Sequence, residues 1–121
     1  MSRPINDAKN KLLNCGKELL LQNGYFDLSI TKLTHICHMG TGTFYHYFSS
    51  KADLVVDIVQ ADWESTLNSM DNAINDKTSL DGKLRKIYEI LKLFNNTYDA
   101  IWVQFGAERG NIERFAVIKK T

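Results

Sequence analysis

Turn-forming residues are scarce in this 121-residue chain, which holds one proline and seven glycines. Folds built from strands and turns need more of both, so the scarcity favours helices throughout. The two cysteines, Cys15 and Cys37, are too few for a disulfide framework, and each fits a small buried apolar residue in a reduced, cytoplasmic protein. No apolar run approaches the roughly 18 residues of a membrane span, and the first ten residues are too polar for a signal peptide. We therefore expect no membrane partner.

An excess of charge of one sign is also missing, since the formal net charge is +1. Such a value does not by itself predict a nucleic-acid partner. Residues 1–53 nevertheless hold six lysines and arginines against four acidic residues, and they hold all three histidines, His35, His38 and His46. This small excess of basic residues favours a polyanion as the partner of the N-terminal part of the chain.

Helical periodicity runs along the first part of the chain, and no segment alternates with the period of two that marks a strand. A first helix is predicted over residues 5–23, with Gly24 in the left-handed position that closes it. A short second helix follows after Ser29, which has the side chain of a good N-cap. A short third helix over residues 41–48 and a long fourth helix over about residues 51–74 complete this half.

The second part of the chain carries three more apolar stretches. A fifth helix is predicted over residues 80–94, ended by a break at Asn95–Tyr98. A sixth stretch covers residues 100–107, and residues 112–120 are expected to form a further short helix. The fold class is therefore all-α.

The spacing of the first three helices predicts a helix-turn-helix, because the second and third are short and stand about three residues apart. The tight corner needs a residue that tolerates positive φ, and His38 occupies it. Met39 should turn inward against the first helix, and Gly40 stands at the N-cap of the third helix without a side-chain oxygen. We expect a helix-turn-helix domain over residues 1–50, joined by the long fourth helix to a helical region over residues 51–121.

The third helix divides into two faces. Phe44 and Phe48 are four residues apart, so they share the face that packs on the core. The remaining Thr, Tyr and His side chains supply short donors and acceptors for bases and phosphates. Gly42 leaves room for a close approach of the backbone to a partner. Lys51 opens the fourth helix, where it is suited to clamp a phosphate.

Three other interpretations of this segment are weaker. A phosphate loop at Gly40-x-Gly42 would need a preceding strand and a longer glycine pattern. His35, Cys37 and His38 fit no common zinc spacing, so we expect no metal site. Paired carboxylates or an activated nucleophile at workable spacing are missing, so we expect no catalytic residue, no cofactor and no enzyme activity.

Several motifs agree in order and spacing with one known family. They are LLNCG at 12–16, GY at 24–25, SI at 29–30 with Leu33, GTFYHYF at 42–48, and KADL at 51–54. Together they resemble the N-terminal domain of the TetR family of transcriptional repressors. The resemblance implies a homodimer whose recognition helices enter the major groove of a palindromic operator in double-stranded DNA. It also implies a C-terminal helical domain that forms a dimer interface and a pocket for a small-molecule effector that releases the repressor.

The resemblance assigns DNA-contacting roles to individual positions. It places base and adjacent backbone contacts at the start of the third helix and at His46, phosphate contacts at the two tyrosines, and a backbone contact on the second helix. The implied set is Thr31, Thr41, Gly42, Thr43, Tyr45, His46, Tyr47 and Lys51. The chain departs from the family pattern at Tyr47, where histidine is common, at His38, where glycine is usual, and at Gly40, where serine is usual.

The second half of the chain is expected to be a partial effector and dimerisation domain over residues 51–121, short or truncated beside typical family members. An effector pocket could be lined by four aromatic residues, although such a stripe is more often core: Trp63, Phe94, Trp102 and Phe105. The sequence thus predicts a sequence-specific DNA-binding repressor. The alternative is a truncated helical interaction protein that pairs with a homologue and does not itself bind DNA.

Overall fold

Five helices make up the described part of the molecule. The structure is a computed structural model and describes residues 4–75 and 77–108. The helices are α1 (Pro4–Asn23), α2 (Ile30–Ile36), α3 (Thr41–Tyr47), α4 (Lys51–Ile74) and α5 (Leu80–Ala107). No strand occurs within these ranges, which confirms the all-α fold class. The further helix predicted over residues 112–120 lies outside the described residues.

A serine side chain caps the start of three helices, and the cap at Ser29 confirms the one predicted for α2. The Ser29 side chain accepts a hydrogen bond from the backbone N–H of Lys32, and the Ser50 side chain accepts one from Asp53. Ser79 caps α5 in the same way by accepting from Gly82. Each cap satisfies one of the backbone donors that a helix start leaves unpaired. Local sequence chemistry therefore fixes where α2, α4 and α5 begin.

The predicted break at Asn95–Tyr98 is wrong, because α5 runs through it without interruption. Tyr98 is fully buried and continues the inward stripe from Phe94 to Ile101. The Thr97 hydroxyl donates to the backbone carbonyl of Leu93 at 2.8 Å, so its hydrogen bond is made within the helix. Burial of the stripe outweighs the low helix propensity of the polar residues between its members.

The core lies where α1, α4 and α5 pack against one another and against the two short helices. Gly16 lets α1 approach α4 closely, since a Cβ built there would lie 3.2 Å from methyl carbons of Leu54 and Ile58. Both of those side chains are buried. The glycine that weakens α1 as a helix is therefore the residue that allows its packing against α4.

The end of α5 returns to the helix-turn-helix. The Phe26 backbone N–H donates to Oε1 of Gln104 at 3.0 Å, and the rings of Tyr25 and Phe105 meet edge to face with centroids 5.4 Å apart. Gly24 has φ +83°, as predicted, and a Cβ there would also lie 2.9 Å from Oε1 of Gln104. The loop after α1 is thereby held by α5, a contact that joins the two halves of the chain.

Candidate nucleic-acid interface

The corner between α2 and α3 has the geometry that the sequence predicts. His38 has φ 57°, the left-handed conformation that a tight corner needs. Met39 is partly buried against the core, and its backbone N–H donates to the carbonyl of Thr34 at 2.9 Å. Gly40 precedes α3 without a side-chain cap. The corner thus fixes the direction in which α3 leaves α2.

The candidate surface is the part of α3 that its core contacts leave uncovered. Phe44 and Phe48 are buried, with 0% and 2% of their surface exposed and ring centroids 5.4 Å apart. At about 100° per residue, Gly42, Thr43 and His46 lie on the opposite side of the helix. Tyr45 and Tyr47 then project from the two flanks between these faces.

The predicted contact residues divide by exposure in the same way. Exposed positions are Thr31, Thr41, Gly42, Tyr45 and His46, and half-buried positions are Thr43, Tyr47 and Lys51. Tyr45 keeps 55% of its surface exposed although its ring meets that of Phe44 edge to face. The ring of His46 packs on that of Tyr47 at a centroid distance of 4.8 Å, which orders both side chains on the outer surface.

Besides the phosphate that the sequence predicts for it, Lys51 has a partner within the protein that the sequence does not predict. Its ammonium donates to the backbone carbonyl of Tyr25 at 2.9 Å and lies 4.4 Å from the centroid of the Tyr25 ring. An ammonium has three donors, so one bond to a carbonyl leaves others for a phosphate oxygen. Lys51 therefore ties the start of α4 to the loop after α1.

A polar network joins α1, α4 and α5. Asp62 on α4 accepts a hydrogen bond from the Tyr98 hydroxyl on α5, and its other carboxylate oxygen lies 2.8 Å from the ammonium of Lys17 on α1. Burial, together with the bond to the negative Asp62 carboxylate, raises the pKa of the Tyr98 phenol well above its ordinary value. The phenol therefore stays protonated and continues to donate.

A cleft of about 430 Å³ lies beside this network, between α1, α4 and α5. Its apolar lining consists of Leu21, Ile90, Leu93, Phe94 and the ring of Tyr98, and its polar lining consists of Lys17, Asp62, Ser65, Thr66, Ser69 and Thr97. Small-molecule sites commonly have volumes of about 300–1,000 Å³ and combine an apolar wall with a few polar groups. The cleft meets both conditions.

The four aromatic residues predicted for an effector pocket form two separate ring pairs. Trp63 meets Phe94 at 5.1 Å between α4 and α5, and Phe94 lines the cleft. Trp102 meets Phe105 at 5.5 Å, and Phe105 is 2% exposed against Tyr25. Trp102 and Phe105 thus belong to the contact between α5 and the helix-turn-helix.

The described residues contain neither a metal-binding cluster nor a helix able to cross a membrane. No group of three or more His, Cys, Asp or Glu side chains in residues 4–75 and 77–108 is arranged to hold a metal ion. Across the same residues, every helix falls short of the length or the hydropathy that a membrane crossing requires.

Sequence reasoning missed the contacts that join distant parts of the chain. Lys17, Asp62 and Gln104 are polar residues of helices in which only the apolar residues recur with the helical period. That period predicts a buried face, but it does not predict which side chains these three residues contact. Tyr98 is the one residue whose burial the sequence could have indicated. It lies four residues after Phe94, the spacing at which a large aromatic residue continues the buried face of a helix.

Comparison with known proteins agrees with the geometry of the first half of the chain. Residues 12–58 match the family model described as bacterial regulatory proteins, tetR family. This range begins inside α1 and ends inside α4, so it covers the whole helix-turn-helix.

Individual relatives match over longer or shorter ranges. The HTH-type transcriptional regulator UidR of Escherichia coli is 30% identical over 67 residues, which are 55% of this chain and 34% of UidR. The transcriptional regulator AcuR of Cereibacter sphaeroides is 27% identical over 103 residues, 85% of this chain and 44% of AcuR. The HTH-type transcriptional repressor NemR of Escherichia coli is 37% identical over 46 residues, 38% of this chain and 23% of NemR. The chain thus spans less than half the length of each of these curated relatives. Over residues 12–58, which include the helix-turn-helix, the chain thus matches the tetR family of bacterial regulatory proteins.

Proposed function

We propose that the chain is a sequence-specific DNA-binding regulator of transcription, and that it acts as a repressor. The observation that carries the proposal is the division of α3, which buries Phe44 and Phe48 and leaves the side chains between them facing outward. A short helix anchored in this way can enter the major groove with its N-terminal residues at the base edges.

The proposal assigns roles within this surface by position. Thr41, Gly42, Thr43 and His46 contact base edges or the adjacent backbone, because they begin α3 or lie opposite its buried face. Tyr45 and Tyr47 contact phosphates on the two sides of the groove, and Thr31 and Lys51 contact the backbone from α2 and α4. The DNA-binding unit covers residues 1–50 in this account, and residues 51–121 are the regulatory part.

A homodimer and a small-molecule effector complete the proposal. Two copies would place two recognition helices on a palindrome whose half-sites are about one helical turn, or a multiple of it, apart. The cleft beside Lys17 and Asp62 supports effector binding, because an occupant there would contact the residues that join α1 to α4. Such an occupant can shift the regulator between two states only if it binds one of them better than the other.

Selection from a pool of randomised DNA duplexes tests the proposal without knowledge of the operator. The full chain is expected to enrich a palindromic motif and to bind it with an affinity that falls steeply as salt is raised, since phosphate contacts release counterions. A chain that enriches nothing and binds no duplex at low salt would contradict the proposal.

One observation favours the competing function, a helical protein that acts by association alone. The outer faces of α4 and α5 carry exposed apolar side chains, namely Leu67, Ile74, Leu80, Leu84 and Tyr88, and such surfaces commonly mark protein contacts. Analytical sedimentation of the chain alone and with duplex separates the two functions. Co-sedimentation with duplex supports the regulator, whereas self-association without any DNA binding supports the interaction protein.

A further inference from the structure

The two cysteines of the chain meet where α1 packs against α2. The sulfur of Cys37 lies 3.8 Å from the backbone carbonyl of Lys11, one helical turn before Cys15 on α1. The Cys15 side chain packs against the core that contains Cys37, and its thiol is close enough to that of Cys37 to help raise the pKa of Cys37. Both are free thiols, separated by 22 positions in the sequence but adjacent in the fold. The DNA contacts proposed above use neither of them.

The two thiols differ in access. Cys15 is half-buried, so a small molecule can reach it from the side of α1, whereas Cys37 is 1% exposed. Burial, followed by the contact with Cys15, raises the pKa of the Cys37 thiol to about 11. An accessible thiol in contact with a buried one is the arrangement in which the first is oxidised and the second resolves the product.

We propose that Cys15 and Cys37 form a redox-active dithiol, which a hydroperoxide oxidises to a disulfide that weakens DNA binding. The formation of the disulfide does not depend on the proposed function. The effect on DNA binding does rest on that function.

The chemistry proceeds in two balanced steps. The Cys15 thiolate attacks the distal peroxide oxygen, so that an S–O bond forms, the O–O bond breaks, and the alkoxide or hydroxide that leaves takes up a proton. The Cys37 sulfur then attacks the Cys15 sulfenic acid, so that the S–S bond forms, the S–O bond breaks, and the departing hydroxide leaves as water with the Cys37 proton. Overall, two thiols lose two electrons and two protons, and one hydroperoxide is reduced to an alcohol, or to water, plus one water.

The consequence for DNA binding follows from the place of Cys37 in the fold. Cys37 is the C-cap of α2 and directly precedes His38, whose φ of 57° sets the corner. A disulfide holds its sulfurs at about 2.05 Å, closer than two thiols in contact, so Cys37 must move towards α1. The corner then moves with it, and α3 loses its alignment with α1. A site that reads bases through several side chains does not tolerate a tilt of its helix.

Thiol counting on the full chain tests the dithiol directly. Hydrogen peroxide should lower the number of alkylatable thiols from two to zero, give a mass lower by two hydrogens, and yield one linked peptide pair containing Cys15 and Cys37. Cys15→Ser and Cys37→Ser should each prevent the link. Because Cys15 is only half-buried, Cys15→Ser still provides the test if Cys37→Ser does not fold. Two thiols that remain alkylatable, oxygen adducts on Cys15 alone, or a disulfide only between chains would overturn the dithiol.

Anisotropy with a selected duplex tests the switch. Oxidation should lower the affinity of the wild type by about tenfold or more, and dithiothreitol should restore it, while both serine variants should keep their affinity in peroxide. A linked Cys15–Cys37 pair with unchanged affinity would overturn the switch. If the reduced wild type binds no duplex, the proposed function fails, and the thiol count still decides the dithiol.

Discussion

The Lys51 ammonium donates to the backbone carbonyl of Tyr25 at 2.9 Å and lies 4.4 Å from the centroid of the same residue's ring. Tyr25 in turn packs edge to face on Phe105 of α5, with ring centroids 5.4 Å apart. A side chain proposed to hold a phosphate is therefore held by a residue in direct contact with α5. A shift of α5 can reach the proposed DNA-binding surface through these two contacts.

Replacement of Lys51 by methionine should affect both stability and DNA binding. The free energy of unfolding should fall by about 1–2 kcal/mol, because a bond from a charged donor to a carbonyl is lost. The salt dependence of duplex affinity should also decrease by about one unit of slope, the value for one lost phosphate contact. Thermal unfolding and anisotropy at several salt concentrations measure the two effects. Lys92→Met removes the same charge from α5 and should change neither, whereas an unchanged slope for Lys51→Met would remove Lys51 from the DNA contacts.

Replacement of Tyr45 by alanine should weaken binding to every duplex while leaving the fold intact. Tyr45 is 55% exposed and its main contact is with the ring of Phe44, so the free energy of unfolding should fall by only about 0.5–1 kcal/mol. Thr43→Ala should instead alter the preferred base at one position of each half-site. Tyr88→Ala is the matched control, since Tyr88 is 63% exposed on α5 and remote from α3. Equal effects of the Tyr45 and Thr43 variants on every sequence would contradict this division of roles.

Two of the helical glycines, Gly16 and Gly106, should respond in opposite directions to alanine. Gly16→Ala should lower the free energy of unfolding by about 1 kcal/mol, because its Cβ would lie 3.2 Å from buried methyl carbons and the crowding outweighs the better helix propensity. A Cβ at Gly106 would meet nothing within 4 Å, so Gly106→Ala should stabilise by a few tenths to about 1 kcal/mol. Chemical denaturation compares the two variants. Stabilisation by Gly16→Ala would mean that α1 and α4 are less closely packed than the structure has them.

Tyr98→Phe should make the protein less stable at neutral pH and less sensitive to alkali. The variant loses a hydrogen bond to the Asp62 carboxylate, worth about 1–3 kcal/mol. The pKa of the Tyr98 phenol is raised in the folded state, so the unfolded state loses its proton first, near pH 10 as for an ordinary tyrosine. The stabilisation by Tyr98 is therefore complete below about pH 10 and declines as pH rises above that value.

Denaturation of wild type and variant between pH 7 and 11 measures this difference, with Tyr88→Phe as the control on the same helix. The two curves should converge in alkali. A constant gap between them over the whole range would show that folding does not raise the pKa of the Tyr98 phenol.

Local chemistry made much of the fold and the candidate surface predictable. Ser29 and Ser50 have side chains that cap helices, His38 tolerates the corner's positive φ, and Phe44 and Phe48 share a face because they are four residues apart. Each of these features depends on residues that are close in sequence. A local sequence pattern can therefore predict these features.

The rest depends on which distant residues meet. Asn95 and Asn96 have low helix propensity, yet α5 continues through them because the neighbouring Tyr98 is buried against Asp62 of another helix. The bonds from Lys51 to Tyr25 and from Phe26 to Gln104 span 26 and 78 positions, and the contact between the two cysteines is equally non-local. Nothing in the local pattern of either partner specifies such pairs.

The most direct test of the central claim, that the α3 surface binds DNA, is amide NMR of the ¹⁵N-labelled chain titrated with duplex at low salt. The account predicts that the amides of Thr31, residues 41–47 and Lys51 shift first and furthest, while those of the first half of α5, Leu80 to Phe94, stay in place. Shifts confined to α5, or no shift anywhere at saturating duplex, would contradict it.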